Sequence, residues 1–315
     1  MNNLLDPAIL FFVFGIFAGL IKSNLEIPRS ISKFLSLYLL MALGLKGGFA
    51  LSKSGFTYEI TSVIGIGLFL ALLIPALGYL IIRKVLNGFD SAAVAATYGS
   101  VSAVTFVTAT QYLTNNGIEF GGFMAAVMAL MESPAIIMAV ALAAYTRANN
   151  TVKIKHVLHE SFTDGAHILL LASLVIGIVT GDSGQSVMKP FTGDLFKGLL
   201  AFFLLDMGLQ VAKRIPELKG KSPILLGYAI LAPLVHSMLA FALCLLLNIS
   251  LGNTILLMVL AASASYIAVP AVVRHAIPEA NPSIYFGLSL GLTFPFNVLV
   301  GIPLYTSIAK GFFNV

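Results

Sequence analysis

Ten apolar segments follow one another along the 315-residue chain, and they constrain its fold more than any other feature. Most approach the roughly 20 residues that a helix needs to cross the hydrocarbon core of a bilayer. The segments are 7–23, 32–51, 59–83, 91–113, 119–146, 164–181, 192–212, 223–248, 251–274 and 283–311. Polar breaks separate them, so we expect an all-α polytopic membrane protein with ten transmembrane helices.

The composition excludes a soluble fold and several kinds of site. Apolar residues make up 58% of the chain and charged residues only 10%, whereas soluble domains are about one quarter charged. A water-soluble body of this length would lack the polar surface to cover itself. The single cysteine, Cys244, excludes a disulfide framework and a cysteine-based metal site. We interpret the net charge of +5 as the basic bias of cytoplasmic loops, not as a nucleic-acid surface.

The lysines and arginines predict the orientation of the chain. If all ten segments cross, thirteen of the eighteen basic residues fall on one side, and the positive-inside rule makes that side cytoplasmic. Both termini then lie outside the cytoplasm. The first segment has neither a basic start nor a small-residue cleavage pattern, so we expect a retained helix and no signal peptide.

The two halves of the chain resemble each other. The motif Leu43-Gly44-Leu45-Lys46 is echoed by Met207-Gly208-Leu209-Gln210, and Gly99-Ser100-Val101-Ser102 is echoed by Ala262-Ser263-Ala264-Ser265. The offsets are 158 to 164 residues throughout. Each half holds five segments, an odd number, so the second copy enters the membrane from the opposite side. Such an inverted repeat is typical of alternating-access transporters. We predict a first five-helix repeat at 1–148, a cytoplasmic linker at 149–163 and a second, inverted repeat at 164–315.

Runs of small hydroxyl residues occur at matching positions in the fourth and ninth segments. They are 97–105, with Gly99, Ser100 and Ser102, and 261–265, with Ser263 and Ser265. Such residues permit a break in a helix, and the freed backbone groups then need partners other than lipid. Freed helix N-termini suit a small anion, whereas freed carbonyls and hydroxyls suit sodium. The alternative is that the small residues only allow close helix packing.

Charged and polar groups inside the other segments are few. Glu132 lies deep in the fifth segment beside Pro134, where an acid costs several kcal/mol unless it is paired, wetted or protonated. It is a candidate for binding sodium or for stabilising a break at Pro134, and the alternative is an acid bonded to a neighbouring helix. Asp206, His167 and His236 also lie inside segments, and for the histidines we expect packing roles.

Several function classes have no motif in this sequence. There is no phosphate-binding Gly-Lys-Ser/Thr loop, no His-Glu-x-x-His and no Gly-x-Ser-x-Gly. We therefore expect neither an ATP-driven pump nor an enzyme, and no cofactor beyond a coupling ion. A passive channel is disfavoured because rings of charge are missing.

The chain resembles the cyanobacterial-type family of sodium-dependent bicarbonate transporters, which has relatives in other bacteria. The stretches that carry the resemblance are 27–32, 99–105, 232–236 and, most specifically, Ile277-Pro278-Glu279-Ala280-Asn281-Pro282-Ser283. It implies two inverted five-helix repeats that form a core and a gate domain, a homotrimer, a bacterial inner (plasma) membrane and regulation by a PII-like signalling protein. Where the family continues its second serine-rich stretch with an acid, this chain has Tyr266. A relative that carries another small anion, such as a monocarboxylate, is the alternative that this difference leaves open.

The resemblance also implies the residues of the site. Bicarbonate would lie between the two breaks with sodium beside it. The implied substrate-binding residues are Gly99, Ser100, Ser102, Thr105, Ser263 and Ser265, and the predicted sodium ligands are Ser102, Glu132 and Ser265. The predicted function is sodium-coupled uptake of bicarbonate or a similar small anion. The alternative is a non-transporting sensor or scaffold of the same fold that binds a PII-like protein.

Overall fold

The computed structural model describes residues 6–55, 57–147 and 165–313. Within these ranges the chain is helical and has no strand, which confirms the predicted all-α class. Seven of the described helices are long and apolar enough to cross a membrane. They are Arg29–Lys53, Tyr58–Ile82, Gly88–Asn115, Ile168–Thr192, Asp194–Leu218, Pro223–Leu246 and Pro282–Phe313. The total of ten crossings remains a prediction, and the linker predicted at 149–163 lies outside the described residues.

We number the helices of the described ranges in chain order. They are α1 (Pro7–Leu20), α2 (Arg29–Ser54), α3 (Tyr58–Ile82), α4 (Gly88–Gly99), α5 (Ala103–Asn115), α6 (Met124–Arg147), α7 (Gly165–Thr192), α8 (Asp194–Arg214), α9 (Pro223–Leu246), α10 (Leu251–Ala262), α11 (Ala268–Ala276) and α12 (Pro282–Phe313). Every apolar segment of the sequence falls on one of them. The fourth and ninth segments are each split into a pair, α4 with α5 and α10 with α11.

Large apolar side chains cover the outside of the helices. Phe14 and Phe17 on α1 and Leu231 and Val235 on α9 are all exposed. A soluble monomer rarely shows such continuous apolar surface. These faces therefore suit contact with lipid.

The sixth segment ends differently from the prediction. A polar break was expected after residue 181, but helical structure resumes beyond a sharp kink at Gly181, which has φ +52°, and continues to Thr192. A glycine adopts this left-handed conformation without steric cost, so the chain turns and then resumes its helix. Beyond the kink, Asp182 forms an exposed ion pair with Lys53 at 2.9 Å.

Four helices form one layer of the molecule, which we call the four-helix layer: α1, α2, α7 and α8. Glycines bring their backbones together. A Cβ atom added to Gly208 would lie 2.2 Å from the carbonyl oxygen of Phe12, and one added to Gly48 would lie 2.2 Å from that of Leu174. Close packing of small residues is a common basis of helix association in lipid.

The partners in the four-helix layer are exchanged between the two halves of the chain. Helix α1 packs on α8, and α2 packs on α7. Gly208 of α8 lies 164 residues after Gly44 of α2, and Gly177 of α7 lies 158 residues after Gly19 of α1. In the predicted repeat this offset pairs α7 with α1 and α8 with α2. Each helix therefore packs against the counterpart of its neighbour in the chain.

The remaining helices form what we call the broken-helix layer: α3 to α6 and α9 to α12. The starts of its two interrupted helices are held by matching hydrogen bonds. Asp90, in the first turn of α4, accepts the N–H of Asn281 at 2.7 Å, and Asn253, near the start of α10, accepts the N–H of Gly121 at 2.7 Å. Asn253 follows Asp90 by 163 residues, and Asn281 follows Gly121 by 160. Each half of the chain thus fixes the broken helix of the other.

Candidate functional site

The first interruption separates α4 from α5. Helix α4 ends at Gly99, after which Ser100 (φ −95°, ψ 176°) and Ser102 (φ −109°, ψ 111°) are extended. A Cβ atom on Gly99 would lie 2.5 Å from Cδ of Pro75, so only glycine lets α3 approach the end of α4 this closely. The break predicted from the glycine and serines is present at these residues.

Ser102 caps the N-terminus of α5. Its Oγ accepts the backbone N–H of Thr105 at 3.2 Å and the hydroxyl of Thr105 at 2.9 Å. These two bonds occupy both lone pairs of Oγ, which leaves the hydroxyl hydrogen of Ser102 for a further acceptor. The first-turn N–H groups of Ala103 and Val104 have no intrahelical acceptor, as at any helix start. The geometry therefore makes Ser102 a donor for an anion more readily than a ligand for a cation.

The second interruption separates α10 from α11. Helix α10 ends at Ala262, and Ser263 is extended, with φ −80° and ψ 164°. The Oγ of Ser265 accepts the N–H of Val269 in the first turns of α11 at 3.2 Å. Tyr266 follows Ser265, and its hydroxyl is buried without a hydrogen-bond partner. This break also coincides with its serine-rich stretch.

The two interruptions meet in the interior and bond to each other. The N–H of Ser102 donates to Oγ of Ser263 at 2.9 Å, and the N–H of Ser265 donates to the carbonyl of Thr97 at 2.8 Å. Ser265 lies 163 residues after Ser102, which is within the offset of the predicted repeat. At matching positions, each break thus donates one backbone N–H to the other break. Two of the backbone N–H groups that the breaks release, those of Ser102 and Ser265, are thus satisfied across the crossing.

Unsatisfied hydroxyl groups collect around this crossing. Ser100 is only 1% exposed and its Oγ has no hydrogen-bond partner. The hydroxyl of Tyr266 is likewise buried without a hydrogen-bond partner. Buried polar groups in folded proteins are nearly always paired, and donors without a partner beside a helix N-terminus are chemically suited to an acceptor such as a small anion.

Three side chains that the sequence analysis did not single out support the crossing. Thr293 donates to the carbonyl of Ala229 at 2.7 Å, a group left without an intrahelical partner because Pro233, four residues on, has no N–H. The Tyr98 hydroxyl contacts Thr293 Oγ at 2.6 Å, and it is the donor because Thr293 has already used its hydrogen. Asn297 donates to the carbonyl of Ala262, at the end of α10, at 2.8 Å.

The other predicted residues lie at varying positions. Thr105 is buried and bonded to Ser102, as described above. Glu132 is half-buried in α6, a helix that packs against α11. His236 is buried in α9, with Nδ1 unpartnered. The side chain of His167 lies outside what the structure describes. Asp206 is buried in α8 and accepts hydrogen bonds from Ser32 and Gln210.

A narrow crevice lies between the two layers. Helices α1 and α8 line one side, and α5 and α12 line the other. Most of the polar side chains that line the crevice belong to α5. They are Thr108, Gln111, Tyr112 and Asn115. Because they are three or four residues apart, they lie on the same face of the helix as Thr105. A polar stripe therefore runs from the first break toward the end of α5 that the charge distribution assigns to the outside.

Paired interrupted helices that meet inside a membrane protein are the architecture of secondary transporters. The family comparison agrees with this class. The model of the Na+-dependent bicarbonate transporter superfamily matches residues 7–310, and the chain belongs to that family. A search of curated proteins gave no match.

Proposed function

We propose that this protein takes up bicarbonate, or a similar small anion, together with sodium by alternating access. The observation that carries the proposal is the set of uncommitted donors at the crossing of the two breaks. Ser100 and Ser102 offer hydroxyl hydrogens, and the start of α5 adds backbone N–H groups and a positive dipole end. A bound anion would satisfy them, whereas a cation would leave every donor unpaired.

The same proposal assigns the two layers their parts in transport. Ten crossings form two inverted repeats, with the broken-helix layer as the core and the four-helix layer as the gate. The exchanged partners of α1, α2, α7 and α8 support this repeat, as do the matching hydrogen bonds of Asp90 and Asn253. The anion site would change sides as the core moves against the gate. The crevice along α5 is the outer access route in this scheme.

Sodium would supply the driving force. Family membership supports sodium dependence, and the carbonyl ends of α4 and α10 offer the oxygen ligands that a hard cation prefers. Ser265 keeps a free lone pair and is a suitable ligand. Glu132 remains a proposed ligand on α6. We assign Ser102 to the anion because both of its lone pairs are occupied.

The remaining parts of the proposal come from the family alone. They are a homotrimer in a bacterial inner membrane, with both termini outside the cytoplasm, and a PII-like partner on the cytoplasmic face. Chemical cross-linking in native membranes and pull-down with a PII-like protein would test the two associations separately.

Transport itself is tested with the purified protein in proteoliposomes. Uptake of radiolabelled bicarbonate is measured with an inward sodium gradient, and with choline in place of sodium at the same membrane potential. The sodium gradient should raise the rate of bicarbonate uptake severalfold. In a second assay, unlabelled formate or acetate is added in excess, and strong inhibition of bicarbonate uptake would indicate that a monocarboxylate is preferred. Equal bicarbonate uptake with choline would show that transport is not coupled to sodium. No uptake of any of these anions, with a stable PII-like complex, would favour the non-transporting scaffold.

A further inference from the structure

One end of the crevice is bridged by a hydrogen bond between the two layers. The side-chain amide of Asn115, at the end of α5, donates to Oδ2 of Asp6, beside the start of α1, at 2.7 Å. Both residues line the crevice, at the end that the charge distribution assigns to the outside. The contact therefore joins the broken-helix layer to the four-helix layer across the proposed access route.

Asp6 uses its two carboxylate oxygens for two different helices. Its Oδ1 accepts the N–H of Ala8 at 2.8 Å and so caps α1, whereas its Oδ2 accepts Asn115. A helix cap needs only one side-chain acceptor, so the second bond is not required to start α1. Because a carboxylate accepts on both oxygens and an amide on only one, asparagine at this position could keep the cap but not the bond to Asn115.

Asn115 is oriented for this contact by its own helix. Its Oδ1 accepts the side-chain amide of Gln111, four residues earlier, at 2.7 Å. The oxygen is thus committed to α5, and the amide nitrogen is the group that reaches Asp6. A short chain of donors therefore runs along the core helix and ends on the gate.

The contact is well separated from the anion site. Asn115 lies thirteen residues after Ser102, which is about 20 Å along a helix axis. Thr108 lines the crevice between them and is only 4% exposed. A change at Asn115 can therefore alter access to the crevice without touching the donors at the break.

The hydrogen bond differs in kind from the apolar contacts between the layers. Phe12 of α1 packs on Phe294 of α12 at 5.4 Å between ring centroids. Apolar burial is non-directional, so such surfaces can slide over one another. A hydrogen bond weakens steeply with angle and distance, so the bond between Asn115 and Asp6 exists at one relative position of the layers only.

We propose that Asp6 and Asn115 form a latch that holds the outer end of the crevice closed and must open in each transport cycle. This inference rests on the proposed function, because alternating access requires the core to move against the gate. The hydrogen bond is exposed, and water replaces it when it breaks, so its net free energy is small. That property suits a contact that opens repeatedly.

Reversible cross-linking tests whether the latch must open. Asp6→Cys and Asn115→Cys are combined in the full-length protein, in which the native Cys244 is buried, and a short bifunctional methanethiosulfonate reagent joins the new thiols. Bicarbonate uptake should fall at least about tenfold and recover when a reductant removes the link. The matched control joins Lys53→Cys to Asp182→Cys, an exposed pair whose charged atoms are 2.9 Å apart within the four-helix layer, and should transport as before. Full uptake with Asp6 and Asn115 positions linked would overturn the latch.

Exchanging the two side chains separates a latch from a contact that only supports the fold. Asp6→Asn turns an amide toward Asn115, and Asn115→Asp sets a second carboxylate against Asp6, so each single variant loses the bond. In the double variant the amide and the carboxylate have changed places, and the bond can form again. The readout is the rate at which a small thiol reagent modifies Thr108→Cys in the purified protein. That rate should rise severalfold in each single variant and return toward the parent rate in the exchanged pair, and equal rates in all four proteins would contradict the latch.

The two experiments keep this inference apart from the proposed function. Thiol modification reports opening whether or not bicarbonate is carried, so absent uptake by the wild type would contradict the proposed function while the modification rates still decide the latch. Sodium-driven uptake that continues through the cross-linked latch would leave the proposed function standing and overturn this inference. If a single variant does not fold, the exchanged pair and the cross-linked protein decide.

Discussion

The two layers of this protein solve the same problem, helix association in lipid, in opposite ways. In the four-helix layer, glycines such as Gly48 and Gly208 bring backbones into contact, and the helices stay regular at these contacts. In the broken-helix layer, two helices are interrupted, and their backbone groups bond across the crossing of Ser102 and Ser263. The first arrangement gives a smooth apolar surface, and the second gives a polar interior. The difference agrees with the proposed function, in which one layer serves packing and the other binds the solute.

The largest effect should come from filling a glycine contact in the four-helix layer. In Gly208→Val the new Cβ would lie 2.2 Å from the Phe12 carbonyl oxygen, and neither backbone can move without separating α1 from α8. We expect a loss of at least about 3 kcal/mol of stability, at the upper end for overpacking, seen as a lower thermal midpoint or as no folded protein. Gly198→Val on the same helix meets no atom within 4 Å and is the matched control. Equal behaviour of the two variants would contradict the packing role.

The next effect should appear in transport and leave the fold largely unchanged. Ser102→Ala removes a donor that we assign to the anion, and a hydrogen bond to a charged group contributes about 1.5–3 kcal/mol. Bicarbonate affinity, measured as the half-saturating concentration for uptake, should weaken about 10- to 100-fold, and Ser265→Ala should also reduce uptake. Ser91→Ala, a buried serine on α4 that bonds to its own helix, should transport normally. Unchanged uptake in both site variants would locate the anion elsewhere.

A smaller effect is expected from the hydrogen-bond chain behind the crossing. Tyr98→Phe removes the donor to Thr293 but leaves the bond from Thr293 to Ala229 intact. One neutral hydrogen bond contributes about 1 kcal/mol, so the thermal midpoint should fall by a few degrees. The same change at the exposed Tyr58 should have no effect. If the two variants melt alike, the chain does not stabilise the broken helix.

The smallest effect should follow from breaking a surface ion pair in the four-helix layer. Lys53 and Asp182 are 2.9 Å apart but both side chains are largely exposed. Exposed pairs contribute about 0–1 kcal/mol, so Lys53→Ala should leave the melting curve and uptake nearly unchanged. A marked loss of stability in this variant would show that the kink at Gly181 depends on the pair.

Local composition was sufficient to predict the interruptions but not their crossing. Gly99, Ser100 and Ser102, and later Ser263 and Ser265, weaken helical structure wherever they fall, so the pattern marks the breaks directly. Which backbone groups then pair across the molecule depends on contacts far apart in sequence. The bond from Ser102 to Ser263 spans 161 residues. Residue spacing within a single helix cannot predict which groups of two distant helices will bond to each other.

Supporting residues were missed for a related physical reason. Thr293 matters because Pro233 leaves a carbonyl unpaired on another helix, and a threonine in an apolar segment carries no mark of that role. Asp206 was visible as an acid inside a segment, but its hydrogen-bond partner Ser32 comes from a distant segment. The break expected after residue 181 is a kink and not a loop, because a glycine with positive φ can bend a chain that remains helical on both sides.

The account depends most on what occupies the space where the two breaks cross. A structure determined in sodium bicarbonate tests it directly. We predict density for one small planar anion within hydrogen-bond distance of Ser100 and Ser102 and of the start of α5. An unoccupied crossing in a protein that has bound bicarbonate at another position would contradict the account.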